Sequence, residues 1–139
     1  FEELTGLGAS RLESWMNGAD KRRYTWLREA ARDLQPYHAR RFAPAHPDVS
    51  FTAMNGDKQL KTSPWHEDGR RERLTLIRDQ LPGVDEVVTR TPPRGSHPKH
   101  LLDAGALLWT ARRQSGRAIS RFPLEPYWDS EGMRTELVR

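Results

Sequence analysis

Pro98-Lys99-His100-Leu101-Leu102-Asp103-Ala104-Gly105-Ala106-Leu107-Leu108-Trp109-Thr110-Ala111-Arg112-Arg113-Gln114 is the most apolar stretch of the chain, and its reading decides the fold. Proline at the first position is preorganised for a helix start. The leucines, alanines and tryptophan that follow cover more than one face of a helix. A helix apolar on several sides belongs among neighbours rather than on a surface, so the spacing predicts a central helix. Between Leu101 and Ala111 it carries a single charged residue. Asp103 sits among apolar residues, where an unpaired carboxylate is costly, so it calls for a cation partner or a metal ion.

Working outward, Asp68-Gly69 leads into an amphipathic helix with Leu74, Ile77 and Leu81 on one face and Arg70, Arg71, Glu72, Arg73 and Arg78 on the rest; Pro82-Gly83 closes it. Residues 89–100, with Pro92, Pro93, Gly95, His97 and His100, read as a loop up to the helix start at Pro98. Further upstream, His46-Pro47-Asp48 marks a helix entrance, with proline in the first turn and an acid beside it. Val49, Phe51 and Met54 give that short helix its apolar side, and Asn55-Gly56 ends it. Residues 57–66 form a polar loop around Lys58, Lys61, Pro64 and Trp65.

Tyr37 to Ala45 reads as a short extended stretch, in which Pro44 suits an edge or a strand end better than a sheet centre. Residues 1–36 read as helical. Ser10-Arg11-Leu12-Glu13 is a capping box, and Asp20 opens a longer helix carrying Tyr24, Leu27, Ala31 and Leu34, stopped by Pro36. After Gly116 come a short stretch at 117–122, a proline-rich loop through Trp128 and a final strand from Met133 to Val138.

Helices alternating with short extended pieces predict an α/β domain. The few strands visible predict that the sheet is incomplete in this chain, its main strands lying upstream of Phe1. With no internal repeat or linker, residues 1–139 read as a single domain.

Composition sets outer limits. Apolar residues make up 35% and charged residues 30%, a thin core or one completed from outside the chain. The net charge of +4 and a pI near 9.8 permit polyanionic partners, although the basic residues are spread along the chain as on any solvated surface. Without cysteine there is neither a disulfide framework nor a thiolate metal site. No apolar run approaches the ~18 residues that read as a membrane span, so a cytoplasmic location is the default expectation.

Four segments carry a resemblance. His46-Pro47-Asp48-Val49-Ser50-Phe51 is similar to a His-Pro-Glu-Val-Ser-Phe signature at a strand-to-helix junction. Glu67-Asp68-Gly69-Arg70-Arg71-Glu72-Arg73-Leu74 is similar to a Gly-Arg-x-x-Arg-Leu helix start. Leu101-Leu102-Asp103-Ala104 with Trp109-Thr110-Ala111 is similar to a late helix, and Asp129-Ser130-Glu131-Gly132-Met133-Arg134 to a common ending. In this order they resemble the family known as domain of unknown function 429, grouped with RNase H-like nucleases. The match spans roughly residues 40–139 and corresponds to the family's C-terminal part.

The resemblance implies an RNase H-like mixed sheet flanked by helices, with acids from the first strand, a later strand and the last helix converging on Mg²⁺ or Mn²⁺. Two such cations about 3.5–4 Å apart activate the attacking water and stabilise the leaving oxygen of a phosphodiester. These hard ions take carboxylate ligands. The residues that correspond are Asp103, the candidate catalytic and metal-binding acid, and Asp48, which stands where the family has Glu. Pro44 occupies a place where the family often carries Glu, and Lys99 and His100 stand where it often shows adjacent acids. The first strand has no counterpart here, so the remaining carboxylates are expected from an upstream segment or a partner chain.

Two functions follow. One is a metal-dependent nuclease. The other is a catalytically degraded module that binds nucleic acid or a partner protein. Each candidate residue also has an ordinary reading. Asp48 is either an accessory acid or a helix N-terminal acid favoured by the dipole. His46 either takes part in chemistry or orients its junction. His97, His100 and Asp103 either form a transition-metal site or leave two loop histidines exposed. Arg70, Arg71, Arg73 and Lys61 are candidate nucleic-acid contacts or simply solvated cations. Trp65 and Trp128, in polar loops, are candidate base-stacking residues or interface aromatics.

Overall fold

The same three-residue device starts both helices of the central pair: a histidine in extended conformation, then proline, then the first free amide. The computed structural model describes Asp33, residues 43–128 and residues 134–139. The helices expected at Ser10–Asn17 and from Asp20 to Leu34 lie outside these residues except for Asp33, which is helical, and so does the stretch from 37 to 42. In chain order the described elements are α1 (Pro47–Met54), α2 (Glu67–Gln80), α3 (Asp85–Val88), α4 (Pro98–Ser115), β1 (Arg121–Trp128) and β2 (Arg134–Val138).

As the sequence predicts, α4 lies at the centre, packed on α1, α2 and α3. It buries Leu102, Gly105, Ala106, Trp109 and Thr110, of which Leu102, Ala106 and Trp109 join Phe51 and Met54 of α1, Ile77 of α2, Leu81 and Val88 in one core. Leu108, on the opposite side, is exposed. A Cβ on Gly105 would stand 3.0 Å from Ile77 Cδ1 and 3.2 Å from Val88 Cγ1, so glycine is what lets α4 settle this close to its neighbours. Between α1 and α4 the buried hydroxyls of Ser50 and Thr110 bond to each other at 2.7 Å, as buried polar groups must.

The amphipathic pattern of α2 holds for Leu74, Ile77 and Leu81 but not for Arg73. The sequence places Arg73 on the polar side; the structure buries it to 4% exposure. Tertiary acceptors explain the difference. Its guanidinium donates to the carbonyls of Thr62 at 2.9 Å and Gly69 at 3.1 Å, reaches Asp48 Oδ1 at 3.5 Å and lies 5.4 Å from the centre of the Phe51 ring. The single turn of α3 is too short for any periodicity to announce. It is held by the Arg78–Asp85 pair at 3.1 Å, with Val88 inserted in the core.

The proline-rich segment ending at Trp128 is a strand, not the expected loop. β1 pairs antiparallel with β2 at Arg121–Val138 and Phe122–Leu137, and again at Tyr127–Thr135 and Trp128–Arg134. The register breaks between Phe122 and Tyr127, where Pro123 and Pro126 have no amide hydrogen to give a ladder. On the other side of β2, Val138 donates to the carbonyl of Pro44 at 2.9 Å and Ala45 bridges Val138 in parallel. Pro44 thus occupies an edge, lending a carbonyl where it cannot donate. Arg139 pairs with Asp57, tying the end of the chain to the turn after α1. Among the described residues no helix is long and apolar enough to cross a membrane.

Candidate functional site

The N-terminal ends of α1 and α4 form the site. His46 Nδ1 accepts the amide hydrogen of Asp48 at 3.2 Å, and His97 Nδ1 accepts that of Lys99 at 3.2 Å. A helix begins with amides that lack partners, and an imidazole lone pair satisfies one at each end. The cap requires a neutral ring, since a proton on Nδ1 would remove the acceptor. The titration fits this role. Burial lowers the pKa of His46 below the ordinary 6.5, against the opposing pull of Asp48 and Asp103 and with a further push from Lys99. His97 is lowered too, by desolvation and then by the positive charges of Arg70, His100 and Lys99.

Both sequence-predicted acids reach this junction, and both arrive with a cation. Asp103 Oδ2 lies 2.5 Å from Lys99 Nζ, one helical turn earlier, and 3.8 Å from His100 Nδ1. Asp48 lies 3.5 Å from buried Arg73 and 4.0 Å from His46 Nδ1. Asp48, Asp103 and Lys99 all act electrostatically on His46, so the four side chains share one neighbourhood. Of the alternatives open for Asp103, the structure supplies the cation partner.

A two-metal centre needs several anionic oxygens converging with their charge unspent. Among the described residues no group of three or more His, Cys, Asp and Glu side chains is gathered to hold a metal ion. Asp48 and Asp103 are each engaged by a cation of the same chain. The described residues therefore do not fit Mg²⁺ or Mn²⁺. Nor do His97, His100 and Asp103 form a transition-metal site, because His97 Nδ1 is committed to the α4 cap.

Beside the acids stands Trp65, in a loop built on α2 by four separate contacts. Arg73 donates to Thr62 O, the Thr62 hydroxyl bonds Glu72, Arg70 Nη1 donates to Trp65 O at 2.7 Å, and buried Gly69 lies directly under Ser63. A Cβ at Gly69 would stand 2.0 Å from the Ser63 carbonyl oxygen, so no larger residue fits beneath this loop unless the backbone moves. Trp65 itself is 52% exposed. Its ring meets His97 at 5.0 Å between centroids and His100 edge-on at 6.0 Å, with Lys99 Nζ 5.0 Å from its centre. Lys99 thus links the aromatic ring to the carboxylate of Asp103.

A cleft of about 410 Å³ opens between the start of α2, the segment after α3 and the start of α4. Arg70, Arg71, Arg90 and the acid Glu67 contribute to its walls, together with Thr89, Thr91 and apolar side chains such as Val88 and Leu102. Arg71 is paired with Glu67 at 2.9 Å. Of the predicted nucleic-acid contacts, Arg70 and Arg71 line this cleft, Lys61 is exposed in the preceding loop and Arg73 is internal. Trp128, on β1, is exposed.

No local pattern points to Arg90, to the support of Trp65 by α2, or to the Lys99–Trp65 contact. The Lys99–Asp103 pair had a usable signal, being opposite charges four residues apart on a helix. The other contacts join positions far apart along the chain and had none.

The family model described as "Protein of unknown function (DUF429)" matches residues 9–127. The chain belongs to this family. No curated protein and no solved structure matches it.

Proposed function

We propose that this chain is the C-terminal part of an RNase H-like domain that binds nucleic acid and does not cut it through Asp48 and Asp103. The observation that carries the reading is the neutralisation of both acids, Asp103 by Lys99 and Asp48 by Arg73. Carboxylates already paired offer a metal ion little, and with their charge cancelled they no longer repel a phosphate passing over the same place. The mixed pairing of β2, antiparallel to β1 and bridged in parallel by Ala45, is compatible with an RNase H-like sheet. A net charge of +4 and the Arg70, Arg71 and Arg90 cleft supply the attraction to a polyanion. The test is the affinity for a fluorescently labelled oligonucleotide as a function of salt. Log affinity falling linearly with log salt is the expected result; absent or salt-insensitive binding would point to a partner protein instead.

A second reading is favoured by the packing of α1 on α4, which carry Asp48 and Asp103 from distant parts of the sequence on neighbouring elements. In a metal-dependent nuclease these would be two members of a larger acidic set, completed by residues outside the described ones or by another chain. That reading requires Lys99 to leave Asp103 when Mg²⁺ or Mn²⁺ enters. Metal-dependent hydrolysis that is lost in Asp103→Asn is its test.

A further inference from the structure

Large aromatic side chains usually lose their exposed area to the core or to an interface. Trp65 keeps 52% of its surface open although its loop is fastened to α2 through Thr62, Ser63 and the Trp65 carbonyl. A ring held from below and open to water is prepared to receive a flat partner without further ordering, which keeps the entropic cost of binding low. Its surroundings select the chemistry of that partner. Lys99, already paired with Asp103, and the imidazoles of His97 and His100 stand around the ring, and the imidazole N–H groups can donate to an anionic group.

Arg70 bonds the Trp65 carbonyl and also lines the cleft, to which Arg90 adds a second cation. An exposed aromatic ring joined through Arg70 to a cleft in which Arg70 and Arg90 stand beside one acid, Glu67, itself paired with Arg71, matches a nucleotide unit: a planar base on the ring and its phosphate among the arginines. A base inside a duplex has both faces covered by its neighbours, so only an unpaired base can use such a platform.

We infer that Trp65 is a base-stacking platform and that the cleft of Arg70 and Arg90 takes the adjoining phosphate, making single-stranded nucleic acid the preferred ligand. This rests on the nucleic-acid reading above and adds to it which form is bound and by which residues.

The experiment compares a labelled oligothymidylate with a labelled duplex of equal length, using the chain and its Trp65→Ala, Trp65→Phe and Arg90→Ala variants. Trp65 is exposed, and an unchanged thermal melt for each variant verifies that the fold persists. Base stacking on an aromatic side chain contributes about 1–3 kcal/mol. Trp65→Ala should therefore weaken single-strand binding roughly 5- to 150-fold and leave duplex binding where it was. Trp65→Phe should recover most of the loss, and Arg90→Ala should weaken binding and lower its salt dependence. If Trp65→Ala leaves single-strand affinity unchanged, or weakens both ligands equally, the stacking inference is overturned while salt-dependent binding still upholds the wider reading. If neither ligand binds in a salt-dependent way, the wider reading fails and this inference fails with it.

Discussion

The two His-Pro entrances share one backbone solution and put it to different use. At His46-Pro47-Asp48 the third residue is an acid that turns to buried Arg73, and Ser50, one turn into α1, bonds Thr110 inside the core. At His97-Pro98-Lys99 the third residue is a base that pairs with Asp103, and the capping ring lies against half-exposed Trp65. Identical caps therefore produce an anchor in one case and an open surface in the other. The residue after the proline and the element that faces it make the difference, not the cap.

The anchor should be the more sensitive to change. Arg73→Met removes the guanidinium bonds to Thr62 and Gly69 and leaves Asp48 without its cation. Breaking a buried pair from one side costs about 3–5 kcal/mol, and since Asp48 is partly exposed the lower end is expected, read as a shift in urea midpoint at constant slope. A midpoint shift no larger than that of an exposed variant such as Arg71→Met would mean that Arg73 is not the clamp described.

Gly69→Ala follows, at about 1–3 kcal/mol, because the backbone of Ser63 has to give way. Its distinguishing mark is a loss of oligonucleotide affinity from a residue that no ligand would touch. Ser50→Ala leaves the Thr110 hydroxyl buried without its partner, a cost of about 1–3 kcal/mol. Ser50→Ala and Thr110→Val together should cost less than the sum of the two single changes, since the double variant leaves no orphan hydroxyl; strict additivity would deny the coupling.

The smallest expected effect is the response to pH. Both capping imidazoles are held below the ordinary 6.5, so between that value and their folded pKa values the unfolded chain binds more protons than the folded one. Their contribution is complete above about 6.5 and is lost as pH falls through the window beneath it. Replacing either histidine by Asn, which caps helices without titrating there, should flatten stability against pH over that range. An unchanged slope would show that the caps are not what titrates.

The helices were legible because their signals are local. Proline at the first turn, a capping side chain ahead of it and a periodic apolar face all lie within a few residues, and α1, α2 and α4 follow from them. β1 was hidden because Pro123 and Pro126 read as loop residues, and only pairing with β2, with a break in register to accommodate them, makes the segment a strand. Arg73 was misplaced for a similar reason. Periodicity assigns it to the wet side of α2, while the acceptors that draw it inside come from a loop and from α1. Asp48 and Asp103 could be chosen as candidates from the sequence, but the arginine that occupies one of them could not.

Lys99 and Arg73 decide whether the two acids constitute a reactive site or a neutral one. The direct measurement is hydrolysis of a labelled single-stranded oligonucleotide by the chain in Mg²⁺ and in Mn²⁺, alongside Asp103→Asn. Intact substrate with both proteins is expected under conditions where binding is seen. Metal-dependent cleavage by the chain that disappears in Asp103→Asn would contradict the neutral reading.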